Sequence, residues 1–184
     1  FLVTAVRGKS EILITAREAA FGGLMTALLI AVQFSLSMVQ GVEVVTVLFL
    51  SYCAVFGVRS GLIVANAFSL LRCLLFGFFP AVIVLYLIYY NIFAVVFGML
   101  GKSVYKLPPV KRVVMVTVAA VIMSAVFTLL DDIITPLMLG YGAQMAKIYF
   151  YNSLIVMGVQ AACSAVTVSL LFLPLTKVFD MVKR

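Results

Sequence analysis

The sequence predicts an all-α integral membrane protein, a bundle of six transmembrane helices forming a single membrane domain over residues 1–184. Three observations predict it. Hydrophobic residues make up 66% of the chain and charged residues only 10%, with a mean hydropathy of +1.29. A soluble domain carries about 25% charged residues, so too few charges are present to cover a surface facing water. Apolar runs recur near the length that a spanning helix needs, about 20 residues. Gly, Pro and charged residues punctuate those runs. Six spans would use about 120 residues and leave only short connections, with no room for a separate soluble domain.

The first span covers 19–39 and follows Arg7, Lys9 and Arg17. The second covers 43–57, with Glu43 at its start after Gln40 and Gly41. A turn over 57–61, holding Arg59, leads to the third, 62–76. Residues 77–80 break the chain at Gly77 and Pro80 before the fourth span, 81–100. A polar loop over 101–112 contains Lys102, Lys106, Pro108, Pro109, Lys111 and Arg112. The fifth span, 113–130, is ended by Asp131 and Asp132. Residues 133–147, with Pro136, Gly140 and Gly142, read as a long loop with one short amphipathic turn. The sixth span is 148–172, and Pro174, Lys177, Lys183 and Arg184 close the sequence. The first apolar run is too long and too poorly flanked for a cleaved signal peptide.

Orientation follows from the basic residues, which favour the cytoplasmic side. Arg7, Lys9, Arg17, Arg59, Lys102, Lys106, Lys111, Arg112, Lys177, Lys183 and Arg184 fall on one side, eleven of the thirteen. Arg72 and Lys147 fall toward the other, with Glu43, Asp131 and Asp132. Both termini are therefore expected in the cytoplasm of a cell with the chain in its plasma membrane. The net charge of +7 is an orientation signal and meets anionic lipid, not nucleic acid.

Composition also excludes chemistries. Without His there is no zinc-protease motif and no Ser-His or Cys-His nucleophile pair. No Gly-rich phosphate loop ending in Lys-Ser or Lys-Thr is present, so any coupling to ATP must come from a partner. Cys53, Cys73 and Cys163 sit in apolar stretches without metal-ligand spacing and read as buried structural thiols. No metal or cofactor is expected, and the chain itself is not read as an enzyme.

Several positions stand out against the apolar background. Ala19, Gly23, Ala27 and Ala31 put small residues at four-residue spacing on the first span, with Ala16 and Ala20 beside them. Such a strip lets another helix approach closely, from this chain or from a separate protein. Arg72 is an intramembrane charge, which binds an anionic ligand group or pairs with Glu43, Asp131 or Asp132. Glu43 suits a helix N-terminus or a ligand hydrogen bond. Tyr86 and Tyr90 share a face of the fourth span, with Tyr89 and Asn91 adjacent, as an interfacial belt or an aromatic wall. Tyr149, Asn152, Val156 and Gln160 form one narrow stripe on the sixth span, for interhelical hydrogen bonds or for a cavity. Gln33 carries the same two readings. Asp131 and Asp132 point about 100° apart on a helix, which suits a solvated helix end better than a shared-proton dyad.

These features together resemble the substrate-binding S component of an energy-coupling factor (ECF) vitamin transporter, an ABC-type importer. The resemblance covers nearly the whole chain. It rests on size, six spans and inward termini, and on the Ala19-Gly23-Ala27 strip. It rests also on Gly41-Val-Glu-Val-Val-Thr46, Phe56-Gly-Val-Arg-Ser-Gly61, Leu75-Phe-Gly-Phe-Phe-Pro80 and the Asn152 stripe. It implies capture of a vitamin-like micronutrient from outside, then docking on a membrane scaffold protein that carries two cytoplasmic ATPases. It implies scaffold contact through Ala19, Gly23 and Ala27, where Gly23 stands at a position that is typically Ala. It implies a ligand site near the external side, built from Tyr86, Tyr90, Asn91, Asn152 and Gln160, with Glu43, Arg72, Asp131 and Asp132 around them. The competing class is a non-transport membrane scaffold or assembly protein, which needs no ligand. An intramembrane enzyme fits poorly, since no paired catalytic motif is present.

Overall fold

The structure, a computed structural model, describes residues 16–36 and 44–183. Among them are six helices and no strands: α1 (Ala16–Leu36), α2 (Val44–Phe56), α3 (Val58–Phe76), α4 (Pro80–Val104), α5 (Pro109–Leu139) and α6 (Ala143–Lys183). Five of the six, all but α2, are long and apolar enough to cross a membrane. The 13 residues of α2 reach about 20 Å at 1.5 Å per residue, short of a hydrocarbon core of about 30 Å.

The short helix sits at the centre, packed against every other described helix. Nine of its residues are buried, from Thr46 to Cys53 and at Val55. A helix that is apolar on all sides belongs in such a position. The others follow one another around it, α1 on α3, α3 on α4, α4 on α5 and α5 on α6. The α1 and α6 backbones do not pack closely, and an apolar groove lined by Leu24, Met25, Tyr52, Phe56, Phe179 and Val182 runs between them.

Connections are tighter than the sequence suggests. The expected turn over 57–61 is the single residue Gly57, whose φ of 86° is open to glycine and costly for L side chains. α3 therefore starts at Val58 and spans 19 residues, more than the 62–76 expected. Pro80 and Pro109 open α4 and α5, where a missing N–H costs nothing. The expected 101–112 loop contracts to 105–108. Closure at this end depends on bare glycine surfaces. A Cβ on Gly98 would lie 2.6 Å from the Val58 nitrogen, and one on Gly101 would lie 2.7 Å from Ala54 Cα.

The largest correction concerns 131–147. Asp131 and Asp132 do not end a helix, and 133–147 is not a long loop. α5 continues through both acids and Pro136 to Leu139, and α6 begins at Ala143. Hydroxyl groups donate to both oxygens of Asp131 and to one of Asp132 within the helix pair. Pro136 lies near the helix end, where its carbonyl accepts the Gly140 and Tyr141 N–H groups as the chain turns. α6 likewise runs through Pro174 to Lys183, well beyond the expected 172. A proline removes one backbone bond, which is tolerated in apolar helices when neighbours restore contacts.

The described basic residues Arg17, Arg59, Lys102, Lys106, Lys111, Arg112, Lys177 and Lys183 belong to one end of the bundle by helix direction. Contacts join that end. Arg17 Nη2 donates to the Val182 carbonyl at 2.7 Å, and Lys183 Nζ donates to the Val55 carbonyl at 2.5 Å. The latter places a cation on the C-terminal carbonyls of α2, where the helix dipole favours it. Tyr105 donates its hydroxyl to Asp180 Oδ2 at 3.2 Å, and the Arg112 guanidinium lies 4.8 Å from the Tyr105 ring centre. Cys53 and Cys73 are buried and Cys163 is half-buried, all three as free thiols.

Candidate functional site

The opposite end of the α5–α6 pair holds a polar cleft of about 320 Å³. Phe127, Thr128 and Asp131 line it from α5, and Tyr149, Asn152, Ser153, Val156 and Gln160 line it from α6. The α6 residues include the whole expected stripe. Helical spacing brings 149, 152, 156 and 160 onto one face, and antiparallel α5 presents Asp131 and Thr128 to that face.

Asp131 anchors the arrangement. Tyr149 donates its hydroxyl to Asp131 Oδ2 at 2.6 Å, and Thr135 donates to Oδ1 at 2.6 Å. Ser153 donates to Asp132 Oδ2 at 2.7 Å. The other Asp132 oxygen is buried and accepts no hydrogen bond from the described residues. Thr128 donates to Gln160 Oε1 at 2.9 Å, which leaves the Gln160 amide N–H groups for another acceptor. The Asn152 side chain is exposed to the cleft and bonds to no described residue. Thr135 and Ser153 were not singled out by sequence; their spacing from Asp131 and Tyr149 on the two helices was the available signal.

The remaining expected site residues lie elsewhere. Tyr86 and Tyr90 are only 7% and 8% exposed. They pack with Phe68, Phe49, Tyr89 and Phe127 in an aromatic core, with Tyr86 and Tyr90 ring centres 5.2 Å apart. The wall is thus filled by neighbouring rings, and neither tyrosine lines the cleft. Gln33 Nε2 donates to the Tyr86 hydroxyl at 2.9 Å, tying α1 to α4. Asn91 lies on the α3 side. It exchanges amide bonds with Asn66, at 3.0 and 3.2 Å, and clamps those helices together.

Arg72 stacks over the Tyr86 ring, 4.0 Å from its centre, and 5.3 Å from that of Phe76. It pairs with neither Asp131 nor Asp132, and its Nε is buried without an acceptor among the described residues. Cation–π contact holds a guanidinium over a ring without a carboxylate. Glu43, its third expected partner, lies outside the described residues, as do Arg7, Lys9 and Arg184.

The small-residue strip faces outward. Ala19, Gly23 and Ala27 are exposed, and a Cβ on Gly23 would meet nothing within 4 Å. Packing of α1 within the chain uses Gly22, Met25, Thr26 and Leu29 instead. Among the described residues, no group of three or more Cys, Asp or Glu converges to hold a metal.

Comparisons with protein-family models, curated proteins and solved structures find no match to this chain. The fold and the cleft define an all-helical protein of membrane character with a polar cavity between two apolar helices.

Proposed function

We propose that this chain is the substrate-binding subunit of an ECF-type importer, crossing the plasma membrane six times with both termini in the cytoplasm. The carrying observation is the cleft between α5 and α6. It gathers a carboxylate, two amides with unused hydrogen-bonding groups and two aromatic rings within an otherwise apolar bundle. Small-molecule sites have that character, a concave space with few convergent polar groups. Basic residues gather at the other end, which supports an external position for the cleft under the positive-inside rule. α2 would make its crossing at the bundle centre, where local thinning and protein contacts compensate for its length.

In this reading the cleft captures a vitamin-like micronutrient. The outward strip of Ala19, Gly23 and Ala27 then supports docking on a membrane scaffold protein with two ATPases, and ATP hydrolysis belongs to those partners. The strip suits a non-transport scaffold equally well, but that reading leaves the cleft unexplained. The test is ligand binding by the purified chain in nanodiscs without ATP, over a panel of vitamins and nucleobases. The expected result is a thermal shift with one ligand class, and co-purification with an ATPase-bearing complex. A silent panel and an absent ATPase partner would overturn the proposal.

A further inference from the structure

We infer that the cleft selects a ligand bearing a cationic or N–H-donating nitrogen, seated on Asp131, and rejects anionic ligands. This names the ligand class for the capture site proposed above and rests on that reading. The argument begins with which groups remain available. Asp131 already accepts from Tyr149 and Thr135, and both bonds fix the carboxylate in place. Each carboxylate oxygen has a second lone pair, so two further donors can be accepted. Gln160 accepts from Thr128 through its oxygen, so its N–H groups remain available to an acceptor. Asn152 offers both a donor and an acceptor.

Charge decides the class. Among the described residues no Lys or Arg lines the cleft. Lys147 is exposed near the start of α6 and is not part of the lining. Arg72, the cation that would suit an anionic ligand, is held over Tyr86 on the α3–α4 side. Asp132 adds a second carboxyl group beside Asp131, bonded to Ser153. An anion entering this space meets the like charge of Asp131 with no Lys or Arg in the lining to offset it, and only the amide N–H groups of Asn152 and Gln160 to receive it. A positive or N–H-rich ring system meets the carboxylate beside the aromatic side chains of Phe127 and Tyr149. The cavity volume lies near the small end for ligand sites and suits a compact ring system.

The experiment uses the full chain in nanodiscs with five probes. Thiamine and choline are cationic, riboflavin is neutral, and biotin and pantothenate are anionic. Native mass spectrometry of the same preparation reads the charge type of any co-purified ligand. The expected result is binding by cationic or N–H-donating molecules only, with affinity roughly ten- to hundredfold weaker in Asp131→Asn. The charge preference of the native chain keeps the test decisive if Asp131→Asn fails to fold. Tight binding of an anion would overturn this inference and leave the capture function standing. So would a bound ligand of any charge whose affinity is unmoved by Asp131→Asn. Absence of any bound probe or co-purified molecule would overturn the capture function and this inference with it.

Discussion

Asn66 and Asn91 form a closed amide pair between α3 and α4. Each Nδ2 donates to the other's Oδ1, and each also donates to the carbonyl one turn before it, Leu62 and Leu87. All four side-chain N–H groups are therefore used. Asn91→Leu strands the Asn66 amide and should lower stability by about 0.6–1.7 kcal/mol, the range for interhelical bonds in membrane proteins. The Asn66→Leu, Asn91→Leu double variant should recover part of that loss, since no polar group is left without a partner. A double-mutant cycle followed by unfolding in mixed micelles measures both. Ligand affinity should stay unchanged throughout.

The Tyr149 hydroxyl is one of two donors that hold Asp131. Tyr149→Phe keeps the ring against the cleft and removes that donor. It should destabilise the α5–α6 pair by about 1 kcal/mol, a typical net hydrogen-bond contribution. Hydrogen exchange of the 128–153 amides, compared between native and variant chains, should rise locally and leave α3 and α4 protected.

Glycine substitutions should divide by position. Gly101→Ala drives a Cβ into the Ala54 backbone and should cost at least about 1–3 kcal/mol, as overpacking does. Gly158→Ala meets nothing within 4 Å and should be neutral or stabilising by up to about 1 kcal/mol through helix propensity. Thermal unfolding of the two variants in one lipid composition gives the comparison.

Gly23→Leu tests docking separately from capture. The position opens to the surroundings, so the fold and ligand affinity should be retained. A bulky side chain on a strip of small residues blocks close helix approach, so ATP-driven uptake should be lost. Uptake at the native rate would remove α1 from the docking interface.

Tyr105, in the connection between α4 and α5, gives a pH prediction. Burial raises its phenol, with the Asp180 charge and hydrogen bond adding to the effect, from 10.0 to about 12. The folded state thus favours the neutral phenol. Its contribution to stability is complete below about pH 10 and falls away as pH rises toward 12. The half-exposed site is screened, so the effect is modest. Unfolding midpoints from pH 8 upward should drop more steeply for the native chain than for Tyr105→Phe.

Much of the architecture was readable from hydropathy and punctuation. Gly57, Gly77, Pro80 and Pro109 mark real boundaries, and the 149–160 stripe lines the cleft. The acids misled because an apolar span interrupted by Asp131-Asp132 reads as finished. Thr135, one turn along the same helix, and Tyr149 and Ser153, brought alongside by folding, donate to these acids within a continuous helix. Tyr86 and Tyr90 misled for the opposite reason. Periodicity puts them on one face, but the rings of Phe49, Phe68 and Phe127 that fill the space before them come from three other helices. The partner of Asn91 was equally hidden, because a bond spanning 25 residues leaves no local pattern.

The central seat of α2 has a consequence for biogenesis. This helix is made long before α6, yet α6 supplies part of its wall, and Lys183 caps a carbonyl 128 residues upstream. A nascent α2 has not met its later neighbours when it is made. Its burial is complete only when synthesis has delivered α4, α5 and α6. Ribosome stalling before α6 should therefore leave an unfinished bundle whose second helix lacks part of its wall, which proteolysis of stalled chains would detect as raised cleavage.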